Sequence, residues 1–354
     1  MSGTAAGPAG GGTTGEPPEG TTSVPVELLE QWCRQALTRA GMTAAAAEPL
    51  AAAVVDAEAR GKTTVGVNHL FDYLEAVEAG RLDPAAVPEV RRPSDSLFVC
   101  DARGGSAHTG FAQVLADLVA AARRHGSAVF SQHGAYTCGH LGWFTTRLAG
   151  QGLVALAVAN SPALMAAPGT STAVFGTNPL SLAAPAGAGP TLVIDQAASH
   201  TAFVNIREAA EHGEEIPAGW AVDGSGRPTT DAGAALGGAL LPAGGYKGAN
   251  TALVVEVLAA LSGASWSMDA PPFQTGNANP GVGVFVLALA PESFGAGFGA
   301  RLGEQLDRLA AQGMRVPGRP PGKPADPGPG ADGAANGVPL PAALVSRLRS
   351  AARA

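Results

Sequence analysis

A chain of 354 residues with 46% hydrophobic content is long enough for one large domain or two ordinary ones, with ample material for a buried core. Its net charge of −7 argues against a nucleic-acid surface, no apolar run approaches the roughly 20 residues of a membrane span, and the N-terminus lacks a basic-then-apolar signal. Cys33, Cys100 and Cys138 are too few and too far apart for a disulfide scaffold or a metal site, so the sequence predicts a soluble, cytoplasmic protein with no metal.

Residues 1–23, "MSGTAAGPAGGGTTGEPPEGTTS", offer almost nothing to bury and are expected to form a disordered tail. From Val24 the pattern changes: Val26, Leu28, Leu29, Trp32 and Leu37 repeat at helical spacing, and a second helix is predicted from Thr43 to Arg60, stopped by Gly61. A third helix, near Asn68 to Gly80, carries His69, Tyr73 and Val77 at four-residue intervals, which puts imidazole and phenol on one face. "RRPSDSLFVCDARGG" reads as loop, short strand and turn. A long helix from Gly110 to His125 stops at Gly126, the strand "SAVFSQ" follows, and "HGAYTCGHLG" leads into a helix from Trp143 to Gly150.

The stretch Asn160 to Ser199 is the centre of the pattern. Two apolar runs, Leu153 to Ala159 and Thr191 to Ile194, have the length and β-branched content of buried strands, and a long loop is expected between them. Gly169, Gly176 and Pro179 can fix backbone groups there, with Ser161, Thr177, Asn178 and Asp195 at strand ends, an arrangement suited to a polar ligand. Beyond it, "IPAGWAVDGSGRPTTD" is a turn-rich excursion, "LLPAGGYKGAN" a glycine loop and Thr251 to Leu261 an apolar helix. The strand "GVGVFVLAL", a helix near Ser293 to Gln312 and a Pro/Gly-rich loop over 316–338 complete the reading.

Several segments agree in order and spacing with one family. "RGKTTVGVNHLFDYLEAVEAGRLDP", "NSPALMAAPG", "FGTNPLSLAAP", "VIDQAAS", "LPAGGYKGANTALVVEVLAALSGA" and "GVFVLALAPESF" together resemble the type-2 malate/L-lactate dehydrogenases, over about Val24 to Gly318. That family includes sulfolactate and ureidoglycolate dehydrogenases, diketogulonate reductase and reductases of piperideine- and pyrroline-2-carboxylate. The resemblance implies an α/β protein of non-Rossmann type, with a mixed central sheet and flanking helices, using NAD(P)H and forming a homodimer with the site near the subunit interface. The absence of a strand-linked Gly-x-Gly-x-x-Gly agrees with a non-Rossmann cofactor site. It also implies a division into the tail 1–23, a helical substrate and dimer region 24–125, a cofactor-binding α/β region 126–315, and 316–354 as loop and C-terminal helix packing back.

Carried over by position, cofactor contacts fall on Ser161, Asp195, Gln196, Ala197 and Lys247, with a further one near Pro317 and Gly318. A lysine can meet phosphate as a point charge, and a carboxylate at a strand end can accept from ribose hydroxyls. The departures lie elsewhere. Family members usually carry Ser-His-Gly-Val-x-Arg where this chain has Thr64, Val65, Gly66, Val67, Asn68 and His69, so the proton-donating histidine falls on Val65 and the carboxylate-binding arginine on His69. A second family histidine falls on Thr137, and the usual Gly-Lys pair falls on Val204 and Asn205, whereas Tyr73 and Lys247 are retained.

The candidate proton donors are therefore His69, Tyr73 and His140. Each also has a plainer reading: His69 as an exposed helical histidine, Tyr73 as a packing residue, His140 as a loop histidine capping a helix. Cys138 reads as packing, and His108, His125, His133, His200 and His212 as structural or surface groups. The leading expectation is an oxidoreductase reducing a C=O or C=N bond next to a carboxylate, with an altered, specialised substrate. The alternative is a family scaffold without redox activity, turned to a non-redox rearrangement or to binding.

Overall fold

The computed structural model describes residues 20–318 and 337–353; the expected tail through residue 19 and most of the Pro/Gly-rich loop, residues 319–336, lie outside the described residues. β1 (Thr21–Val24) pairs antiparallel with residues 338–341 near the far end of the chain. This corrects the expected tail boundary: order begins before Val24 because Thr21 to Ser23 are tied to a partner strand that no local pattern announces.

α1 (Val26–Arg39) buries Leu29, Cys33, Ala36 and Leu37, one stripe at the helical period. α2 (Ala44–Ala59) starts at Thr43, whose hydroxyl accepts from the Ala46 amide at 3.3 Å. Being apolar nearly all round, α2 is covered by α1, α3 (Val67–Glu78) and α4 (Ala107–His125). Between α3 and α4 the expected loop, strand and turn is instead a hairpin of β2 (Glu89–Ser94) and β3 (Leu97–Asp101). Arg91, Arg92 and Pro93 hide β2 from a pattern reading, yet they are what an exposed edge strand carries. The 24–125 region is thus not purely helical, and it gives two strands to the main sheet.

α4 ends at Gly126, whose φ of 82° is left-handed, and β4 (Ser127–Ala135), α5 (Gly142–Ala149) and β5 (Val154–Ala159) follow. The long loop expected after β5 is broken by three strands, β6 (Met165–Ala166), β7 (Ala173–Phe175) and β8 (Leu180–Ala186), the last lying between β5 and β9 (Gly189–Gln196). Alanine and proline are poor strand formers; pairing on both sides makes β8 a strand.

The second half contributes α6 (Phe203–His212), unannounced by the sequence reading, and, within the turn-rich excursion, a hairpin of β10 (Ala221–Val222) and β11 (Pro228–Thr229). α7 (Ala232–Leu236) and β12 (Ala239–Leu240) lead to α8 (Tyr246–Ala260). α8 starts at Tyr246 rather than Thr251, so Lys247 sits in its first turn and not in the glycine loop. β13 (Val282–Leu289) precedes α9 (Phe298–Ala311), which begins after left-handed Gly297 rather than near Ser293. β14 (Val338–Pro341) completes the pair with β1, and α10 (Ala342–Arg353) returns Leu344, Val345 and Leu348 to the core of α1–α3.

The main sheet has the order β2-β3-β4-β13-β5-β8-β9, mixed because β3 and β4 run parallel while the other neighbours are antiparallel. Phe98, Phe111, Phe130, Trp143 and Phe144 form an aromatic core between this sheet and α4 and α5. Edge-on ring pairs of this kind add about 0.5–1.5 kcal/mol each beyond area burial. A smaller sheet, β11-β10-β12-β6-β7, packs its own cluster around Met165, Ile206 and Leu240. The C-terminal ends of β4, β5 and β9 meet the starts of β8 and β13 at one edge of the main sheet.

Candidate active site

At that edge lies a cavity of about 230 Å³. Thr64, Val65, His69 and Asp72 line it from the 3-10 turn Thr63–Val65 and α3. Thr137 to Gly139 line it beyond β4, Asn160 and Ser161 beyond β5, Ala197 beyond β9, and Phe203, Val204 and Arg207 from α6. Asn160 holds the edge together, its side chain accepting from the Gly283 amide at 2.9 Å and donating to the Ser265 carbonyl at 2.7 Å.

His69 is the one expected proton donor that lines the cavity. Its Nδ1 lies 2.7 Å from Asp72 Oδ2; since a carboxylate only accepts, Nδ1 carries the proton and Nε2 is the free ring nitrogen. Burial pushes the Asp72 carboxyl upward, but the His69 contact overrides it and holds the group below the usual carboxylate range. Val65, where the family histidine was expected to fall, presents only methyl groups to the same space.

Tyr73 and His140 stand one layer behind. Tyr73 is 1% exposed, its ring edge-on to His69 at 4.7 Å, and a Cβ at Gly139 would sit 3.5 Å from its hydroxyl. Burial raises its pKa well above the ordinary tyrosine value, so it stays neutral. His140 is equally enclosed, between two carboxylates: Nε2 is 3.0 Å from Asp56 Oδ2 and Nδ1 3.5 Å from Asp195 Oδ2. Lys62 Nζ meets the same Asp195 oxygen at 2.5 Å and the Asp195 carbonyl at 3.2 Å, and the Gly142 amide donates to that carboxylate at 3.1 Å. Burial alone would raise Asp56 and Asp195, but His140 with Arg60 on the first, and His140 with Lys62 on the second, hold both below the ordinary range. His108, expected to be structural or surface, is fully buried against Trp143 and Phe144, and burial lowers it to about 3. Burial also pushes the Cys138 thiol up to about 12, which suits packing and not nucleophilic attack.

The expected cofactor contacts distribute along β9 and its surroundings. Ser161 and Ala197 line the cavity, and Gln196 is exposed at the strand end. The Asp195 side chain turns instead to Lys62, His140 and Gly142, which corrects the picture of a carboxylate free to accept from ribose. Lys247 is exposed, without an ion pair among the described residues, in a turn joined to β9's end by the Ala243 amide on the Ala198 carbonyl at 2.9 Å. Gly318, with φ 83°, lies so close to Thr191 and Val193 of β9 that a side chain there would collide with the strand. Asn178, in the left-handed region at φ 39°, is a buried strut and not a ligand group: its amide donates to Glu256 at 2.8 Å and to the Ala252 carbonyl at 2.9 Å.

The sequence reading missed Arg207 on the cavity wall and Lys62, which holds Asp195 behind it. Lys62 had a signal, since it is one of only three lysines, with Lys247 and Lys323, and abuts the "TTVG" motif. Arg207 had none, because α6 itself was not anticipated.

Residues 24–349 match the family described as malate/L-lactate dehydrogenase. The chain is 36% identical over 288 residues to the (2R)-3-sulfolactate dehydrogenase (NADP(+)) of Chromohalobacter salexigens, covering 80% of this chain and 86% of that one. It is 35% identical over 301 residues to the Δ1-pyrroline-2-carboxylate/Δ1-piperideine-2-carboxylate reductase of Pseudomonas putida, covering 83% and 88%. The crystal structure of Δ1-piperideine-2-carboxylate reductase from Pseudomonas syringae pv. tomato superposes with a TM-score of 0.85 at 30% identity, over 94% of this chain and 100% of that one.

Proposed function

The chain belongs to the malate/L-lactate dehydrogenase family, and on that premise we propose that it is an NAD(P)H-dependent oxidoreductase that reduces a C=O or C=N bond next to a carboxylate, in a 2-oxo acid or cyclic imino acid. The observation that carries the reading is the His69–Asp72 pair on the wall of the small cavity, with Ser161 and Ala197 bordering the same space. With Nδ1–H held by Asp72, a second proton taken up from solvent at Nε2 makes His69 an imidazolium that can act as a general acid from Nε2.

The dinucleotide, when bound, supplies the hydride. The residues fit it: Gly244 and Gly245, both left-handed, have open space where side chains would stand, and they precede the N-terminal amides of α8 and the exposed Lys247. Open backbone, a helix N-terminus and a lysine together form a cradle for phosphate. His69 then protonates the nitrogen or oxygen of the bond being reduced, and Asp72 steadies the imidazolium before transfer. Val65 and Phe203 exclude water from that step, while Asp195, fixed by Lys62, His140 and Gly142, holds the end of β9 in position.

The homodimer is part of this proposal, and the support lies on α8. Its Leu253, Val254 and Val257, with Leu261 just past its end, are 49–64% exposed, and Trp266 and Met268 that follow in the chain are exposed too. A cluster of large apolar side chains left exposed marks an interaction surface, so a second copy covers this face, outside the 24–125 region first expected to carry the interface. Leu253→Lys with Val257→Lys should convert the dimer to monomer by light scattering; unchanged mass would remove this support.

The test of activity is dinucleotide absorbance in mixtures with Δ1-pyrroline-2-carboxylate, Δ1-piperideine-2-carboxylate or pyruvate, and in the reverse direction with NADP+ and (2R)-3-sulfolactate. Turnover of one of them is expected. A second reading, a scaffold without redox activity, draws on Val65 alone; it would be favoured by a protein that binds neither NADH nor NADPH at millimolar concentration.

A further inference from the structure

We infer that Arg207 anchors the substrate's carboxylate, the task for which His69 stands in the expected position. The inference rests on the reductase reading above. Among the described residues lining the cavity, only His69 and Arg207 are basic, and His69 Nδ1 is committed to Asp72 at 2.7 Å. Arg207 shares its face of α6 with Phe203 and Val204, all three bordering the cavity, as residues three and four apart on a helix must.

Its charge is available. The one ion-pair partner of Arg207 among the described residues is Glu211, at 4.0 Å and 65% exposed, a distance and setting at which the pair is weak and screened by water. The field of the guanidinium nonetheless reaches the cavity wall: against the upward push of burial, His69 and then Arg207 lower the Asp72 carboxyl. A planar guanidinium matches a carboxylate with two parallel donors, which neither a lysine nor a histidine can do. With the carboxylate on the α6 wall, the adjacent C=O or C=N bond is left for His69 on the α3 wall. The two tasks of recognition and proton delivery are then both filled, by residues at positions other than the expected ones.

The experiment uses calorimetry on the full chain saturated with NADPH, with pyrrole-2-carboxylate and pyrrole-2-carboxamide as flat probes that differ in charge. The parent should prefer the carboxylate. Arg207→Gln should weaken the carboxylate by about tenfold to a hundredfold, the range of a lost charge-assisted contact, and leave the amide and NADPH affinities unchanged. Arg207→Lys should restore only part of the preference, and in turnover Arg207→Gln should raise KM more than it lowers kcat. A carboxylate preference that survives in Arg207→Gln overturns the anchor, as does an equal loss of NADPH affinity, which would assign Arg207 to the dinucleotide. A parent that reduces its substrate without any carboxylate preference also overturns the anchor alone, whereas a parent that binds no dinucleotide and reduces nothing overturns the reading beneath it.

Discussion

The two sides of the proposed site differ in how they are built. On the side of β9 and α8, the groups proposed for a dinucleotide are largely backbone: the strand end at Asp195–Ala197, the open turn Gly244–Gly245 and the first turn of α8 with Lys247. On the side of α3 and α6, the proposed chemistry rests on single side chains, His69, Asp72 and Arg207, with the apolar Val65 lining the same cavity. Backbone cradles depend on the path of the chain and tolerate little exchange, whereas a proton donor or an anchoring cation can move to any neighbouring position from which it still reaches the same space. The family pattern is kept at Lys247 on the first side and departs at Val65, His69, Thr137, Val204 and Asn205.

Three substitutions sharpen that contrast. The largest effect is expected on the reaction side: His69→Ala should lower kcat by about 10²–10⁴-fold, the usual contribution of a general acid, while the Kd for NADPH measured by fluorescence stays as in the parent. If turnover is untouched, His69 is an exposed helical histidine and the donor lies elsewhere. Lys247→Ala, on the dinucleotide side, should raise the Kd for NADPH by roughly tenfold, since a charge-assisted contact to phosphate contributes about 1.5–3 kcal/mol, with little change in thermal stability. Equal affinity in the variant would detach Lys247 from the cofactor.

The smallest effect concerns the layer behind the cavity. Asp56 and Asp195 have folded-state pKa values below those of an unfolded chain, about 3.9 for Asp. The unfolded state therefore binds more protons in acid, so the stabilisation is complete above that value and is lost as pH falls through the lower, folded values. Asp56→Asn should make the loss of stability on acidification shallower than in the parent, read as Tm against pH. Parallel curves would mean that the Asp56–His140 contact carries no net stabilisation.

Much of the fold was legible because it is written in local periodicity. α1, α2, α4 and α5 fall within a few residues of their expected bounds, β5 covers all but the first residue of one apolar run, and β9 contains the other. The failures share a physical cause, dependence on distant partners. β8 is an alanine- and proline-containing segment made a strand by β5 and β9, β2 is a charged edge held by β3, and β1 exists through pairing with β14. The site divides in the same way. His69, Ser161 and Ala197 were found through their motifs and line the cavity. Lys62 could not be joined to Asp195 from the sequence because 133 positions separate them, and Arg207 depended on a helix that had not been recognised. Tyr73 and His140 were found as residue types, but their enclosure one layer behind the cavity is a property of packing alone.

The central claim is that an intact dinucleotide side still serves a working reaction side. It is tested most directly by titrating the parent protein with NADPH by fluorescence and then following NADPH absorbance in the same sample on addition of Δ1-pyrroline-2-carboxylate or Δ1-piperideine-2-carboxylate. Saturable binding followed by substrate-dependent loss of NADPH is the predicted result. Saturable binding with no consumption, for these or for 2-oxo acids, would contradict the claim.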